Sequence, residues 1–98
     1  EINPNNPRTL FEYADFIRAC CRDYDRAELY YKKAIDEGDE SSLYPYILAN
    51  YAAFLYEHRG KVEDADNYYR MALEIMPNNP QILKGYSIFL KNIKKGIN

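Results

Sequence analysis

Leu10, Tyr13, Ala14 and Ile17 stand at positions i, i+3, i+4 and i+7, and Leu48, Tyr51, Ala52 and Leu55 repeat that spacing. Such spacing draws an apolar stripe along one face of an α-helix. A second pattern follows each stripe: Ala27, Tyr31, Ala34 and then Ala65, Tyr69, Ala72 set small residues seven apart around a tyrosine. Alanines at a helix crossing let two axes come close, and a large ring fills the remaining space. Asn6-Pro7 and Asn79-Pro80 mark helix starts, because Asn caps the first turn and proline lacks an N–H that would have no partner there. Acids at Asp23, Asp25, Glu63 and Asp64 suit the starts of the second helices. One Val, one Thr and no sustained alternation leave almost no strand signal. The pattern predicts an all-α chain with five helices near 7–20, 23–37, 45–58, 61–76 and 80–94.

The pattern is also a repeat. Sliding the chain by 38 residues aligns 7–36 with 45–74 at nine identities, where composition alone gives about two. A further slide of 35 continues it through Pro80, Ile82, Leu83, Tyr86, Phe89 and Leu90. Ile2-Asn3-Pro4-Asn5-Asn6-Pro7 matches Ile75 to Pro80 at five of six places, so the chain reads as opening on the end of an earlier unit. The expected organisation is 1–6 as the tail of a preceding repeat, 7–44 and 45–79 as full repeats, and 80–98 as a partial one. The difference between the two periods falls in Gly38-Asp39-Glu40-Ser41-Ser42, where insertion costs little.

A unit running Leu-x-x-Tyr-Ala-x-Phe-Leu, a turn with Gly60, then Ala65, Tyr69, Ala72 and Pro77-Asn78-Asn79 resembles the tetratricopeptide repeat. The resemblance covers essentially the whole chain. It implies an α-solenoid of antiparallel helix pairs in a right-handed superhelix, with the first helix of each pair lining a concave groove where partners bind. The sequence departs from the family in a turn one residue longer between the two helices, in Ser87 at a position of small residues, and in Asp39 near the place of a closing proline.

Residues on the first helices that face away from the apolar stripes are the candidates for contact: Phe11, Asp15, Tyr46, Asn50, Tyr56, Lys84 and Ile88. Aromatics off the core stripe are the better anchors, since interfaces are enriched in them. The face runs from acidic to aromatic to basic: residues 1–80 hold nine bases and 15 acids, and 81–98 hold four Lys and no acid. One known use of the family is a Lys and Asn clamp for the terminal carboxylate of chaperone tails. Asn50 matches its central Asn, but Phe11 and Asp15 replace a Lys and an Asn, and Gln81 and Gly85 replace two basic residues. That ligand is not expected.

Composition narrows the function further. The 98 residues are 47% hydrophobic and 29% charged, with net charge −2, so a globular core is expected and a polyanion partner is not. The longest apolar run, Tyr51–Tyr56, is far short of a membrane span. Eleven tyrosines invite a base-stacking reading, but six recur at repeat positions and no basic track accompanies them. Cys20 and Cys21 are adjacent, so they cannot staple distant parts of the fold, and they read as buried or half-buried thiols in a reducing, intracellular compartment, most naturally the cytoplasm. Cys20 corresponds to His58 one repeat on, yet two scattered candidates make no metal site. No catalytic set, phosphate loop or cofactor motif is present. The reading is a non-catalytic protein-interaction scaffold with no cofactor, metal, nucleic acid or membrane partner. Its open repeat ends are expected to allow weak head-to-tail self-association. The alternative is a half-a-tetratricopeptide scaffold of an RNA-processing complex.

Overall fold

The computed structural model describes residues 6–38 and 43–95. The Ile2–Pro7 match and Asp39 with its linker therefore lie wholly or largely outside the described residues. Five helices are found among those described, and no strand. Helix α1 (Pro7–Phe16) runs on through a π-helical turn (Ile17–Cys21), and α2 spans Tyr24–Glu37. Helix α3 (Leu43–Phe54) likewise ends in a π turn (Leu55–Arg59), followed by α4 (Val62–Ile75) and α5 (Pro80–Lys94).

The expected punctuation is present. The Asn6 side chain accepts from the backbone N–H groups of Arg8 and Thr9, and Asn79 does the same for Gln81 and Ile82. Each cap satisfies two of the donors that a helix start leaves open, and the adjoining proline removes another. One boundary differs from expectation: α3 starts at Leu43, two residues before Pro45. Pro45 fits within that first turn, where backbone nitrogens have no intrahelical acceptor.

The extra residue in the turn between the first and second helices is absorbed by helix rather than by loop. A π turn closes one residue wider than an α turn, and it occurs at the end of both α1 and α3. The chain then reverses through one residue of left-handed backbone, Arg22 (φ 54°) after the first and Gly60 (φ 68°) after the second. Lys61 N–H closes on the Leu55 carbonyl at 3.0 Å. The first π turn buries Ile17 and leaves Cys20 and Cys21 exposed, so the expectation of buried or half-buried thiols is corrected.

The chain forms two compact units, Glu1–Ile47 and Leu48–Asn98. In the first, Leu10 and Ala14 of α1 and Ile17 of its π turn are buried, as are Ala27, Tyr31 and Ala34 of α2. Leu10 and Ala34 share a cluster with Ile47, while Tyr13 meets Tyr30 in a T-shaped contact 4.8 Å between centroids. Rising numbers on α1 thus meet falling numbers on α2, and the two helices run antiparallel. In the second unit the core is Leu48, Tyr51, Ala52, Phe54 and Leu55, then Ala65, Tyr69 and Ala72, then Ile82 and Phe89. Tyr51 meets Tyr68 T-shaped at 4.9 Å, the same contact as Tyr13–Tyr30 displaced by 38 residues. All four crossing alanines, 27, 34, 65 and 72, have no exposed surface, which is what close helix crossing requires.

Candidate functional site

In the second unit a cleft of about 180 Å³ opens between the end of α3 with its π turn and the middle of α5. Ala53, Tyr56 and Glu57 line one side, Ile88, Phe89 and Asn92 the other, and Tyr69 of α4 forms the floor beside Gly85. Tyr56 is held across the cleft by a T-shaped contact with Phe89, centroids 5.2 Å apart. Phe89 also packs on Tyr69 at 5.3 Å. Ile88 is half exposed at the rim. The missing side chain at Gly85 keeps the tyrosine edge open: a Cβ there would lie 3.5 Å from Tyr69 Cε1 and 3.6 Å from its Oη.

Tyr69 is 5% exposed. Among the described residues its hydroxyl has no hydrogen-bond partner, yet no side-chain polar atom is both sealed and unsatisfied, so this oxygen opens onto the cleft. Burial, and after it the negative charge of Glu57, pushes the Tyr69 hydroxyl up to about 12. It therefore stays protonated at any physiological pH.

The equivalent tyrosine of the first unit is differently placed. Tyr31 O–H donates to Asp15 at 3.4 Å, and Arg18 holds the same carboxylate at 2.6 Å and hydrogen-bonds the Tyr31 oxygen. The Phe11 ring meets that ring at a tilt, centroids 6.2 Å apart. Burial again pushes the phenol up to about 12, with the Arg18 hydrogen bond acting the other way. The Asp15 hydrogen bond holds Arg18 above its usual value.

The seven residues selected from the sequence thus fall into separate places. Tyr56 and Ile88 line one cleft. Phe11 and Asp15 meet around Tyr31, and Phe11 is half-buried against the Leu10–Ala34–Ile47 cluster rather than standing free. Tyr46 is half-buried, and Asn50 is exposed. Lys84 is exposed on α5 outside the cleft lining. Tyr69 is the functional candidate that pattern reading passed over, because it sits at a recurring core position. The comparison that singles it out is with Tyr31: its partners Asp15 and Arg18 become Ala53 and Tyr56 at an offset of 38.

Residues 52–83, the stretch from the α3 core to the start of α5, match the family model of the tetratricopeptide repeat. A TPR repeat-containing protein of Dictyostelium discoideum is 33% identical over 94 residues, covering 96% of the chain and 34% of that protein. Residues 52–83 form a tetratricopeptide repeat. The chain spans about a third of the length of the relative it matches. No solved structure matches. Tetratricopeptide repeats generally mediate protein–protein interaction, and the helix pairs described above are the framework on which they do so. No helix among the described residues is long and apolar enough to cross a membrane. None of the described His, Cys, Asp and Glu residues form a group of three or more that could hold a metal ion.

Proposed function

We propose that the chain is a non-catalytic scaffold that binds a protein or peptide on the faces of its first helices, α1, α3 and α5, turned away from their paired second helices. Phe11, Asp15, Tyr46, Asn50, Tyr56, Lys84 and Ile88 are the contact residues of this reading, with 7–44 and 45–79 as full repeats and 80–98 as a partial one. The observation that supports it most is the α3–α5 cleft: it is lined by two of the seven residues, one an aromatic packed edge-on. Aromatic anchors beside a desolvated pocket are where binding energy concentrates. The compartment is reducing, the cytoplasm on this reading, which agrees with two exposed free thiols at Cys20 and Cys21. Exposed Phe16, Leu83 and Leu90 support weak association between copies.

The test is affinity. Peptides enriched on the chain from a random-sequence display library should lose about 1–2 kcal/mol of binding when Tyr56 is changed to alanine, and a measurable share at Tyr46→Ala or Asn50→Ala. Enriched peptides that bind all three variants as tightly as the native chain would place the site elsewhere.

A further inference from the structure

The α3–α5 cleft has a chemistry more specific than that of an aromatic pocket. Glu57 is the one ionised side chain lining the cleft, and it makes no ion pair or hydrogen bond among the described residues. The Tyr69 oxygen, on a residue only 5% exposed, is equally without a partner and faces the same space. Asn92 adds a carboxamide. The walls around these three groups are apolar: Ala53, Ile88 and Phe89.

Each class of occupant meets that set differently. A purely apolar side chain would cover the Tyr69 oxygen without bonding it and leave the exposed Glu57 carboxylate unused, and stranding a polar group in this way costs more than the burial of a stem returns. An acidic side chain would meet Glu57 as a like charge. A long basic side chain suits both parts, with its methylene stem on the apolar wall and its cation at the carboxylate.

The first unit supplies the precedent. There Arg18 lies against Asp15 at 2.6 Å and hydrogen-bonds the Tyr31 oxygen, so a guanidinium, a carboxylate and a buried tyrosine already form one group. Thirty-eight residues on, the tyrosine is kept as Tyr69, the arginine has become Tyr56 and the carboxylate has become Ala53. A carboxylate returns one helical step away, as Glu57, close enough to raise the Tyr69 hydroxyl. The second unit therefore retains the tyrosine and an acid and lacks only the cation.

On the premise that the first helices form the binding face, we propose that this cleft seats one basic side chain, arginine or lysine, from the partner polypeptide, with its stem on Ile88 and Phe89 and its cation between Glu57 and the Tyr69 oxygen. The partner supplies in trans the group that Arg18 supplies within the first unit.

The experiment is a titration of the isotope-labelled chain, followed by nuclear magnetic resonance, with blocked ten-residue peptides identical except for arginine, citrulline, norleucine or glutamate at one central position. Citrulline keeps the shape of arginine and removes its charge. The arginine peptide should shift the Gly85 and Asn92 amides and bind about ten-fold or more tightly than the citrulline peptide, the worth of one charge-assisted hydrogen bond. Glu57→Gln should reduce that preference to about two-fold or less while leaving citrulline binding unchanged. Tyr69→Phe should reduce it in part. The double change Ala53→Asp with Tyr56→Arg, which rebuilds the Asp15–Arg18 pair in the second unit, should fill the cleft from within and abolish the preference. Equal binding of arginine, citrulline and norleucine peptides, or a preference that survives Glu57→Gln, would overturn the inference and leave the binding face standing. Tightest binding by the glutamate peptide would overturn it as well. Failure of every peptide to shift any amide of α3 or α5 would overturn the binding face itself.

Discussion

Arg22 and Gly60, 38 residues apart in sequence, hold the same left-handed backbone at the same point, each ending a π turn and each two residues before the second helix of its pair. Glycine adopts that backbone without penalty, whereas a side chain there costs about 1–2 kcal/mol. Arg22→Gly should therefore stabilise the chain by about 1 kcal/mol. Gly60→Ala should destabilise it by a similar amount, and through backbone alone, because nothing lies within 4 Å of a Cβ placed there. Urea midpoints of the two variants, moving in opposite directions, are the check; midpoints moving together would mean the two turns are not equivalent.

Gly85 offers a separation of stability from binding. It lies inside α5, where glycine costs about 0.5–1 kcal/mol relative to alanine. An added Cβ would meet Tyr69 at 3.5 Å, an ordinary contact that needs no rearrangement. Gly85→Ala is expected to raise the melting temperature while weakening any ligand of the α3–α5 cleft, because the methyl covers the edge of Tyr69. Improved stability with unchanged cleft binding would show that the tyrosine edge is not used.

The alkaline limit of stability should be set by buried phenols. Tyr31 and Tyr69 titrate at about 12 in the folded chain against 10.0 ordinarily, so between those values the folded state holds protons that the unfolded state has released. Stability is then fully present below pH 10 and falls as pH rises toward 12, by on the order of 2 kcal/mol for each tyrosine. Denaturant midpoints measured from pH 8 to 11.5 should show this fall, and Tyr69→Phe should make it shallower. An identical pH dependence in that variant would remove Tyr69 as a source.

Phe16 and Phe54 occupy the same place in the two pairs and differ in what covers them: 56% against 2% exposed. Phe54→Ala should cost about 3–5 kcal/mol, as for other buried phenylalanines. Phe16→Ala should cost well under 1 kcal/mol. Chemical denaturation of the two variants tests the assignment of faces, and comparable losses would refute it.

The helices were legible because their signals are local. A 3.6-residue apolar period and an Asn-Pro start act over one or two turns, and they place α1 with its π turn, α2, α4 and α5 within one residue of where they form. Less legible was the π turn, since the longer spacing between Phe16 and Tyr24 shows an extra residue without showing whether helix or loop takes it up. The missed start of α3 has the same origin: Pro45 is tolerated both at the edge of a helix and inside its first turn. Phe11 and Tyr69 illustrate the limit for the site. The helical wheel turns Phe11 outward, yet its ring is long enough to fold back on Tyr31. Tyr69 recurs as core, and only the loss of an acid and an arginine at two other positions leaves its hydroxyl open. That information is in the sequence, but it becomes visible only when three positions on two helices are known to converge.

The most direct test of the binding face is an amide footprint. The labelled chain, saturated with a peptide enriched from a random display library, should show its largest shifts at Asn50, Gly85, Ile88 and Asn92, on α3 and α5. The exposed outer residues of the second helices, Lys32, Asp36, Met71 and Glu74, should be nearly unmoved. A footprint centred on those four second-helix residues, with Gly85 and Ile88 silent, would contradict the account.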